Sequence, residues 1–199
     1  MMNRMPILFI VSGPSGSGKG TMMGVVLDNV ADIHKVVNYT TRSPRPGEKD
    51  GVDYNFIDED TFLDLVENGG IFEYEQVYND YYYGSPSGVL SGDSDQIMEL
   101  DYKGHRRYRQ AFSNVCSIFL LPPSFGELQQ RIKKRADEDN LNSRLQNADE
   151  QVLHADEYDY VLLNDNLERC AEDILSIVRA ERARSRGQAF LEKLTSDHD

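Results

Sequence analysis

The chain has 199 residues, enough for one well-packed α/β domain with small insertions and too few for two full domains. Acidic residues outnumber basic ones by 34 to 21, and the formal charge of -13 argues against extended contact with the phosphate backbone of DNA or RNA. The two cysteines, Cys116 and Cys170, indicate neither a disulfide framework nor a zinc site, so we expect a cytoplasmic protein. We also expect no signal peptide and no membrane contact, because the first apolar run leads into a glycine-rich loop and no run spans a bilayer.

The first predicted elements are a strand at residues 7–12 and a helix at residues 19–29, joined by a glycine-rich loop. The loop reads Gly13, Pro14, Ser15, Gly16, Ser17, Gly18, Lys19, Gly20, Thr21. Its glycines let successive N–H groups point at one phosphate, and Lys19 reaches the outer phosphates of a nucleoside triphosphate. A plain turn between strand and helix needs neither this spacing nor the lysine. The loop therefore predicts a site for ATP or GTP.

The rest of the core alternates between strand-like and helical patterns. Strands are predicted at residues 35–39, 95–101, 115–121 and 160–163, and helices at 103–112, from Ser124 onward, and at 167–192. Ser124 and Glu127 have the spacing of a capping box. This alternation predicts a doubly wound α/β core with a mostly parallel central sheet.

Residues 40–92 differ from the core, because they are rich in Tyr, Pro, Gly and Asp and predict short strands at 54–57, 71–78 and 81–83 with turns at 44–51 and 79–80. This stretch is interpreted as a small β-rich insert. Arg42 and Arg45 lie in a proline-restricted loop, which suits a second phosphate. Glu73 could accept two hydrogen bonds from the N–H edge of guanine, and Tyr54 and Tyr83 offer hydroxyl donors. Taken singly, each of these residues is equally well explained as ordinary surface or sheet structure.

Three arginines surround a polar stretch at residues 136–143. Arg131 and Arg135 are four residues apart and share a helix face, and Arg144 follows the stretch. Arginines on a closing segment stabilise the charge of a phosphoryl group in transfer and exclude water, so we predict a short helical lid. Surface arginines paired with nearby acids are the alternative.

Together these residues resemble the guanylate kinase family from about residue 7 to residue 184. The matching segments are GPSGSGKGT at 13–21, TTRSPRPGE at 40–48, GVDYNF at 51–56, FE at 72–73, YYG at 82–84, LPPS at 121–124 and YDYVLLND at 158–165. The G-K-G-T ending of the first segment is also similar to that of other nucleoside monophosphate kinases.

The resemblance implies phosphorylation of GMP, and of dGMP, by ATP with Mg²⁺ as the cofactor. It implies catalytic roles for Lys19, Arg42, Arg135 and Arg144. It implies ATP binding by residues 13–21, Arg131, Arg135 and Asn164. It implies GMP binding by Asn38, Arg42, Arg45, Tyr54, Glu73, Tyr83, Ser85, Glu99 and Asp101. For the metal, Thr21 and waters ordered by Glu99 and Asp101 are both open.

The same resemblance implies one unit with three parts: a core at residues 1–37, 93–126 and 157–199, a GMP-binding insert at 38–92, and a lid at 127–156. Four features depart from the family pattern. Asn38 stands where a serine is usual, and Glu99 replaces the shorter acid of an Asp-x-Asp pair. The hairpin at 78–83 is longer by one residue and the lid is shorter by about two. We also expect a helix to start at Ser85 and Pro86, weakened by Gly88 and Gly92.

Other functions remain open at this point. A non-catalytic guanylate-kinase-like interaction domain would be expected to lack loop residues that are present here. A ribose 1,5-bisphosphate phosphokinase would lack the arginine stretch at 42–48. A kinase for AMP or UMP would leave Glu73 facing an acceptor. The expected partners are ATP and GMP, and the oligomeric state, a homo-oligomer included, is left open.

Overall fold

The structure is a computed structural model that describes residues 4–77, 81–133 and 141–196. A central sheet has five strands in the order β2-β7-β1-β8-β9, all of them parallel. These strands are β1 (Leu8–Ser12), β2 (Ile33–Lys35), β7 (Asp95–Glu99), β8 (Val115–Leu121) and β9 (Tyr160–Leu163). The predicted parallel sheet is therefore confirmed.

The sheet is buried because helices cover both of its faces, which explains why β1 is apolar almost throughout. The helices are α1 (Lys19–Asn29), α2 (Glu59–Glu67), α3 (Tyr102–Ala111), α4 (Phe125–Lys133), α5 (Leu141–Val152) and α6 (Leu167–Ser196), with a short 3-10 helix at Ala155–Glu157. On one face, Phe9 packs in a cluster with Met22 of α1 and Ile174 of α6. On the other face, Ile10 packs in a cluster with Tyr108 of α3. None of the helices in the described ranges combines the length and apolar character needed to cross a bilayer.

A second, mixed sheet carries the insert. Its order is β4-β3-β6-β5, from β3 (Tyr39–Thr40), β4 (Asn55–Phe56), β5 (Ile71–Val77) and β6 (Tyr81–Pro86). Helix α2 packs against this sheet through the buried Phe62 and begins after Asp58, whose carboxylate accepts a hydrogen bond from the N–H of Thr61. This helix was not predicted from the sequence, although Phe62, Leu65 and Val66 have the i, i+3, i+4 spacing of a helix face.

Two predicted elements were wrong. The strand predicted at 35–39 is the end of β2 and the start of β3, which belong to different sheets, so the chain crosses from core to insert between Lys35 and Tyr39. The helix predicted at Ser85 does not form, because Ser85 and Pro86 continue β6 and pair with β5. The Ser85 hydroxyl donates to Glu73 instead of capping a helix.

The remaining predicted elements of the core lie close to their observed bounds. The strands at 115–121 and 160–163 and the helix at 19–29 match β8, β9 and α1, and α6 continues to Ser196. Ser124 caps α4 by accepting from the N–H of Glu127. The predicted turn at 79–80 lies outside the described residues. Since all five core strands point the same way, their carboxyl ends form one edge, where ligands bind in sheets of this kind.

Candidate functional site

One cleft of about 1180 Å³ lies between that edge of the central sheet and the sheet of the insert. From the core side its lining includes Gly13, Ser15, Gly16, Gly18, Lys19, Gly20, Thr21, Glu99, Asp101 and Asn164. From the insert side its lining includes Asn38, Arg42, Arg45, Tyr54, Glu73 and Tyr83. The structure thus brings together most residues that the sequence singled out.

The other predicted site residues are placed differently. Pro14 and Ser17 are buried within the loop, and Ser85 is fully buried behind Glu73, so these three do not belong to the lining. Arg131 and Arg144 lie on α4 and α5, and Arg135 falls outside the described residues. The structure also adds two residues that the sequence did not single out, since α5 contributes Asn147 and Gln151 to the wall of the cleft.

The glycine-rich loop takes a conformation that side chains would prevent. Gly13, Gly16 and Gly18 have φ values of 136°, 88° and 101°, in the region that favours glycine. A Cβ at Gly18 would overlap the amide of Asn164. Gly18 is also the N-cap of α1 and offers no side-chain acceptor, so the first N–H groups of the helix are left for another anion. The loop therefore has the form of a phosphate site.

Lys19 extends across this loop. Its Nζ donates to the carbonyl oxygens of Gly13 at 2.6 Å and Pro14 at 3.0 Å, and lies 3.3 Å from Oε1 of Glu99. These neutral and acidic acceptors hold the ammonium group at the mouth of the loop, where the outer phosphates of a triphosphate would lie. Lys19, at the start of α1, is thus paired with Glu99, at the end of β7.

Asn164 supports the loop from the end of β9. Its Nδ2 donates to the carbonyl oxygen of Ser17 at 2.7 Å, and its own N–H donates to the carbonyl of Leu121 at 2.8 Å. The resemblance suggested a place near the adenine for Asn164. In the structure it lines the cleft, but its amide nitrogen is already used to hold the loop.

Arg42 lies at the opposite side of the cleft and is 7% exposed. It forms a bidentate pair with Glu48, with Nη1 to Oε2 at 2.6 Å and Nη2 to Oε1 at 2.7 Å. Its Nε donates to the hydroxyl of Tyr83 at 3.1 Å, and its guanidinium lies over the ring of Tyr54 at 5.1 Å. In the empty cleft Arg42 is therefore held by an ion pair, a hydrogen bond and a ring contact.

Glu48 was missed as a candidate, although it closes the arginine stretch in the sequence. Its carboxylate accepts from Arg42 and from the N–H of Arg45 at 2.8 Å. Burial by itself raises the pKa of Glu48, but these hydrogen bonds outweigh it and the pKa is lowered. The loop thus carries an ionised acid that neutralises Arg42, while the exposed Arg45 faces the same cleft.

Glu73 lies deep in the insert side and is 7% exposed. Its Oε1 accepts from the Ser85 hydroxyl at 2.9 Å. Burial raises the pKa of Glu73 to about 7, and the Ser85 hydrogen bond opposes that rise only in part. Near neutral pH this carboxyl is therefore balanced between its neutral and ionised forms.

Asn38 and Asp101 complete this end of the cleft. Asn38 Nδ2 donates to the carbonyl of Glu99 at 2.9 Å, whereas its buried Oδ1 has no hydrogen-bond partner within the described ranges. Asp101 caps α3 by accepting from the N–H of Gly104 at 2.8 Å, and burial raises its pKa. The free acceptor of Asn38 and the carboxylate of Glu73 suit a ligand that presents N–H donors.

Comparison with known proteins identifies what this arrangement is similar to. The family model described as guanylate kinase matches residues 5–181. A guanylate kinase of Methylobacillus flagellatus is 40% identical over 186 residues, which cover 91% of this chain and 92% of that protein. A guanylate kinase of Sphingopyxis alaskensis is 37% identical over 197 residues, covering 96% of this chain and 89% of that protein. The crystal structure of guanylate kinase from Anaplasma phagocytophilum superposes with a TM-score of 0.76 at 33% identity, covering 91% of this chain and 88% of that chain.

Proposed function

The chain belongs to the guanylate kinase family, and we propose that its cleft transfers the γ-phosphoryl group of ATP to GMP, and to dGMP, giving the nucleoside diphosphate. The observation that carries this proposal is that a phosphate loop and an arginine pocket face one shared cleft. A kinase needs both, because its two substrates must meet in line and away from water.

On the acceptor side, we assign the GMP phosphate to Arg42, Arg45, Tyr54 and Tyr83. The exposed guanidinium of Arg45 is ready for a phosphate, and Arg42 can turn from Glu48 to a dianion without leaving its place over Tyr54. The guanine base is assigned to the deeper part of the cleft, lined by Glu73, Asn38 and Asp101. Ser85 acts there through Glu73, since its hydroxyl is buried behind that carboxylate.

On the donor side, we assign the ATP phosphates to residues 13–21. Lys19 would move from the loop carbonyls to the β- and γ-oxygens, with the N–H groups at the start of α1 adding further donors. Asn164 keeps Gly18 in place and so preserves the loop. Arg131, Arg135 and Arg144 are proposed to meet the transferred group from the lid.

The cofactor of this reaction is a metal ion bound with ATP, and we propose Mg²⁺. Within the described residues, no cluster of three or more His, Cys, Asp or Glu side chains could hold a metal by itself. The oxygens that line the cleft, from Thr21, Glu99 and Asp101, fit an ion bound mainly by phosphates and water. When bound, it would neutralise charge on the β- and γ-phosphates.

The chemistry needs no covalent enzyme intermediate. The GMP phosphate oxygen attacks the γ-phosphorus of ATP while the bond from that phosphorus to the β–γ bridging oxygen breaks and ADP leaves. Arg42 and Arg45 hold the attacking phosphate in line, and Lys19 stabilises negative charge on the transferred group. The arginines of the lid would add positive charge as the cleft closes and water leaves. Positioning and charge neutralisation thus supply the acceleration.

We propose that these roles divide the chain into a core at residues 1–37, 93–126 and 157–199, an insert at 38–92 and a lid at 127–156. The two separate sheets support the boundary between core and insert. A cytoplasmic location is proposed on the strength of two free, buried cysteines. The net charge of -13 supports nucleotides as partners in place of nucleic acid.

A coupled assay of ADP release tests the proposal, with ATP and, in separate wells, GMP, dGMP, AMP, UMP and ribose 1,5-bisphosphate. GMP is expected to be the best acceptor. Faster turnover with another acceptor would overturn the substrate assignment, and no ADP release with any acceptor would favour a non-catalytic interaction domain. A phosphokinase for ribose 1,5-bisphosphate is not favoured by the relatives named above.

A further inference from the structure

Behind Glu73, a line of hydrogen bonds leads away from the cleft into the core. The Tyr108 hydroxyl donates to Ser85 Oγ at 2.9 Å, and the Ser85 hydroxyl donates to Glu73 Oε1 at 2.9 Å. All three side chains are buried, at 0%, 0% and 7% exposure for Tyr108, Ser85 and Glu73. Glu73 and Ser85 belong to the insert sheet and Tyr108 to α3, so the line joins the two parts of the molecule.

These hydrogen bonds are stronger when Glu73 is ionised than when it is neutral, because a carboxylate is the better acceptor. A serine hydroxyl has one proton, so when Ser85 donates to Glu73 its lone pairs must accept from elsewhere, and Tyr108 is the donor. A chain of donors that ends on a carboxylate strengthens each bond along it. The arrangement therefore favours the ionised carboxylate that guanine needs as an acceptor.

Helix α3 also fixes where this carboxylate lies. Gly104 is four residues before Tyr108, so both lie on the same helix face, and a Cβ at Gly104 would approach Glu73 Oε2 to 3.2 Å. The Tyr108 ring is held by Phe72 and Phe112, with centroid distances of 4.6 and 5.5 Å. One turn of α3 thus supplies a close wall for one oxygen and, through Ser85, a donor for the other.

We propose that Tyr108 is a positioning residue for acceptor specificity: through Ser85 it stabilises the ionised form of Glu73 and aims that carboxylate at the N–H edge of guanine. The inference rests on the proposed function, because it concerns how that site selects GMP. The other charged groups that act on Glu73 are Asp101 and Glu75, which favour its neutral form, and Arg107, which favours its ionised form. None of them donates to the Ser85 hydroxyl.

The test compares wild type with Tyr108→Phe from pH 5.5 to 9 in the ADP-release assay. Loss of the hydroxyl is expected to raise KM for GMP about three- to tenfold at pH 7, with kcat changed less than about twofold. The apparent pKa in the profile of kcat/KM for GMP should move upward, and KM should approach the wild-type value at pH 9. Tyr158→Phe is the matched control, a buried tyrosine outside this line of hydrogen bonds, and its profile should stay at the wild-type position.

A purely structural role for Tyr108 predicts a different result. A loss that is the same at every pH, or a fall in kcat alone, would overturn the inference while leaving the proposed function intact. Ser85→Ala provides a second route if Tyr108→Phe does not fold. Ser85→Ala should shift the kcat/KM profile in the same direction, and adding Tyr108→Phe should change KM for GMP by less than about a further twofold. Additive losses would show that Tyr108 does not act through Ser85. Wild-type protein that is inactive with GMP would instead refute the proposed function.

Discussion

Two buried carboxylates, Asp95 and Glu73, lie in different parts of this molecule and differ in the number and charge of their hydrogen-bond partners. Asp95, at the start of β7, accepts two hydrogen bonds from Arg4, at 2.5 and 2.6 Å, one from Arg182 at 2.7 Å and one from the N–H of Ile7 at 2.8 Å. Glu73, in the cleft, accepts from the Ser85 hydroxyl and is otherwise held against Gly104. Both are shielded from water, but only Asp95 has two positively charged partners.

This difference separates residues that stabilise the fold from residues that serve a ligand. Removing one partner of a buried ion pair leaves an uncompensated charge and destabilises strongly. A buried acid with few partners is costly in the empty protein, but it keeps its acceptors for the donors of a ligand. We therefore expect substitutions in the two regions to affect different quantities.

The largest effect on stability is expected for Asp95→Asn, which removes the charge that Arg4 and Arg182 share. The free energy of unfolding should fall by about 3–5 kcal/mol, measured by urea denaturation. Arg169→Gln, which removes an exposed ion pair with Asp165, is the control and should cost less than about 1 kcal/mol. If Asp95→Asn costs no more than this control, the cluster does not stabilise the fold as described.

On the cleft side, Lys19→Ala should give the largest loss of activity. Turnover should fall about 10²- to 10³-fold, because a charge aimed at the transferred group is removed, while KM for GMP changes much less. Lys35→Ala is the control, since this lysine lines the same cleft but donates to the carbonyl of Val52. It should keep kcat within about threefold. An unchanged kcat in Lys19→Ala would remove this lysine from the mechanism.

Glu73→Gln should lower kcat/KM for GMP about 10- to 100-fold, since a hydrogen-bonded charge is replaced by an amide that turns a donor toward guanine. Glu75→Gln, two residues along the same strand, should change kcat/KM for GMP by less than about threefold.

The effect of Glu73→Gln on stability should differ from that of Asp95→Asn. Folding raises the pKa of Glu73, so its contribution to stability is complete below its ordinary pKa and is lost as the pH rises to about 7. At pH 8, Glu73→Gln should therefore not lower Tm, and a fall like that of Asp95→Asn would contradict the contrast.

A smaller effect is expected from pH alone. Because Glu73 must lose its proton to accept from guanine, KM for GMP should be constant above about pH 8 and rise up to tenfold per pH unit well below 7. The GMP phosphate also titrates, so the profile of Glu73→Gln is subtracted as the control. Identical profiles for the two proteins would show that Glu73 does not titrate in this range.

The sequence predicted the core well and the insert less well. Strands such as β8 are nearly continuous apolar runs that end at turn-forming residues, a pattern that indicates a buried parallel strand. Helix α2 was missed although Phe62, Leu65 and Val66 have helical spacing, because it is only nine residues long and lies in a stretch rich in turn-forming residues. The helix expected at Ser85 was displaced by tertiary structure, since strand pairing with β5 and the bond to Glu73 outweigh a local capping signal.

For the candidate site, most of the residues could be predicted from the sequence, but the contacts between them could not. The glycine spacing predicts the loop because few backbones other than a phosphate cradle need it. The Arg42 and Glu48 pair, by contrast, depends on how one loop folds, and the line from Tyr108 to Glu73 joins helix α3 to the insert sheet. Such contacts join residues that no local pattern connects, so only the three-dimensional structure reveals them.

The most direct measurement is the number of protons released when GMP binds at pH 7, determined by calorimetry in buffers of different ionisation enthalpy. With a pKa of about 7, Glu73 is half protonated in the empty cleft, so wild type should release about half a proton more than Glu73→Gln. Protons from the GMP phosphate contribute equally to both proteins and cancel. Equal release by the two proteins would contradict the claim that an under-partnered buried carboxylate recognises guanine.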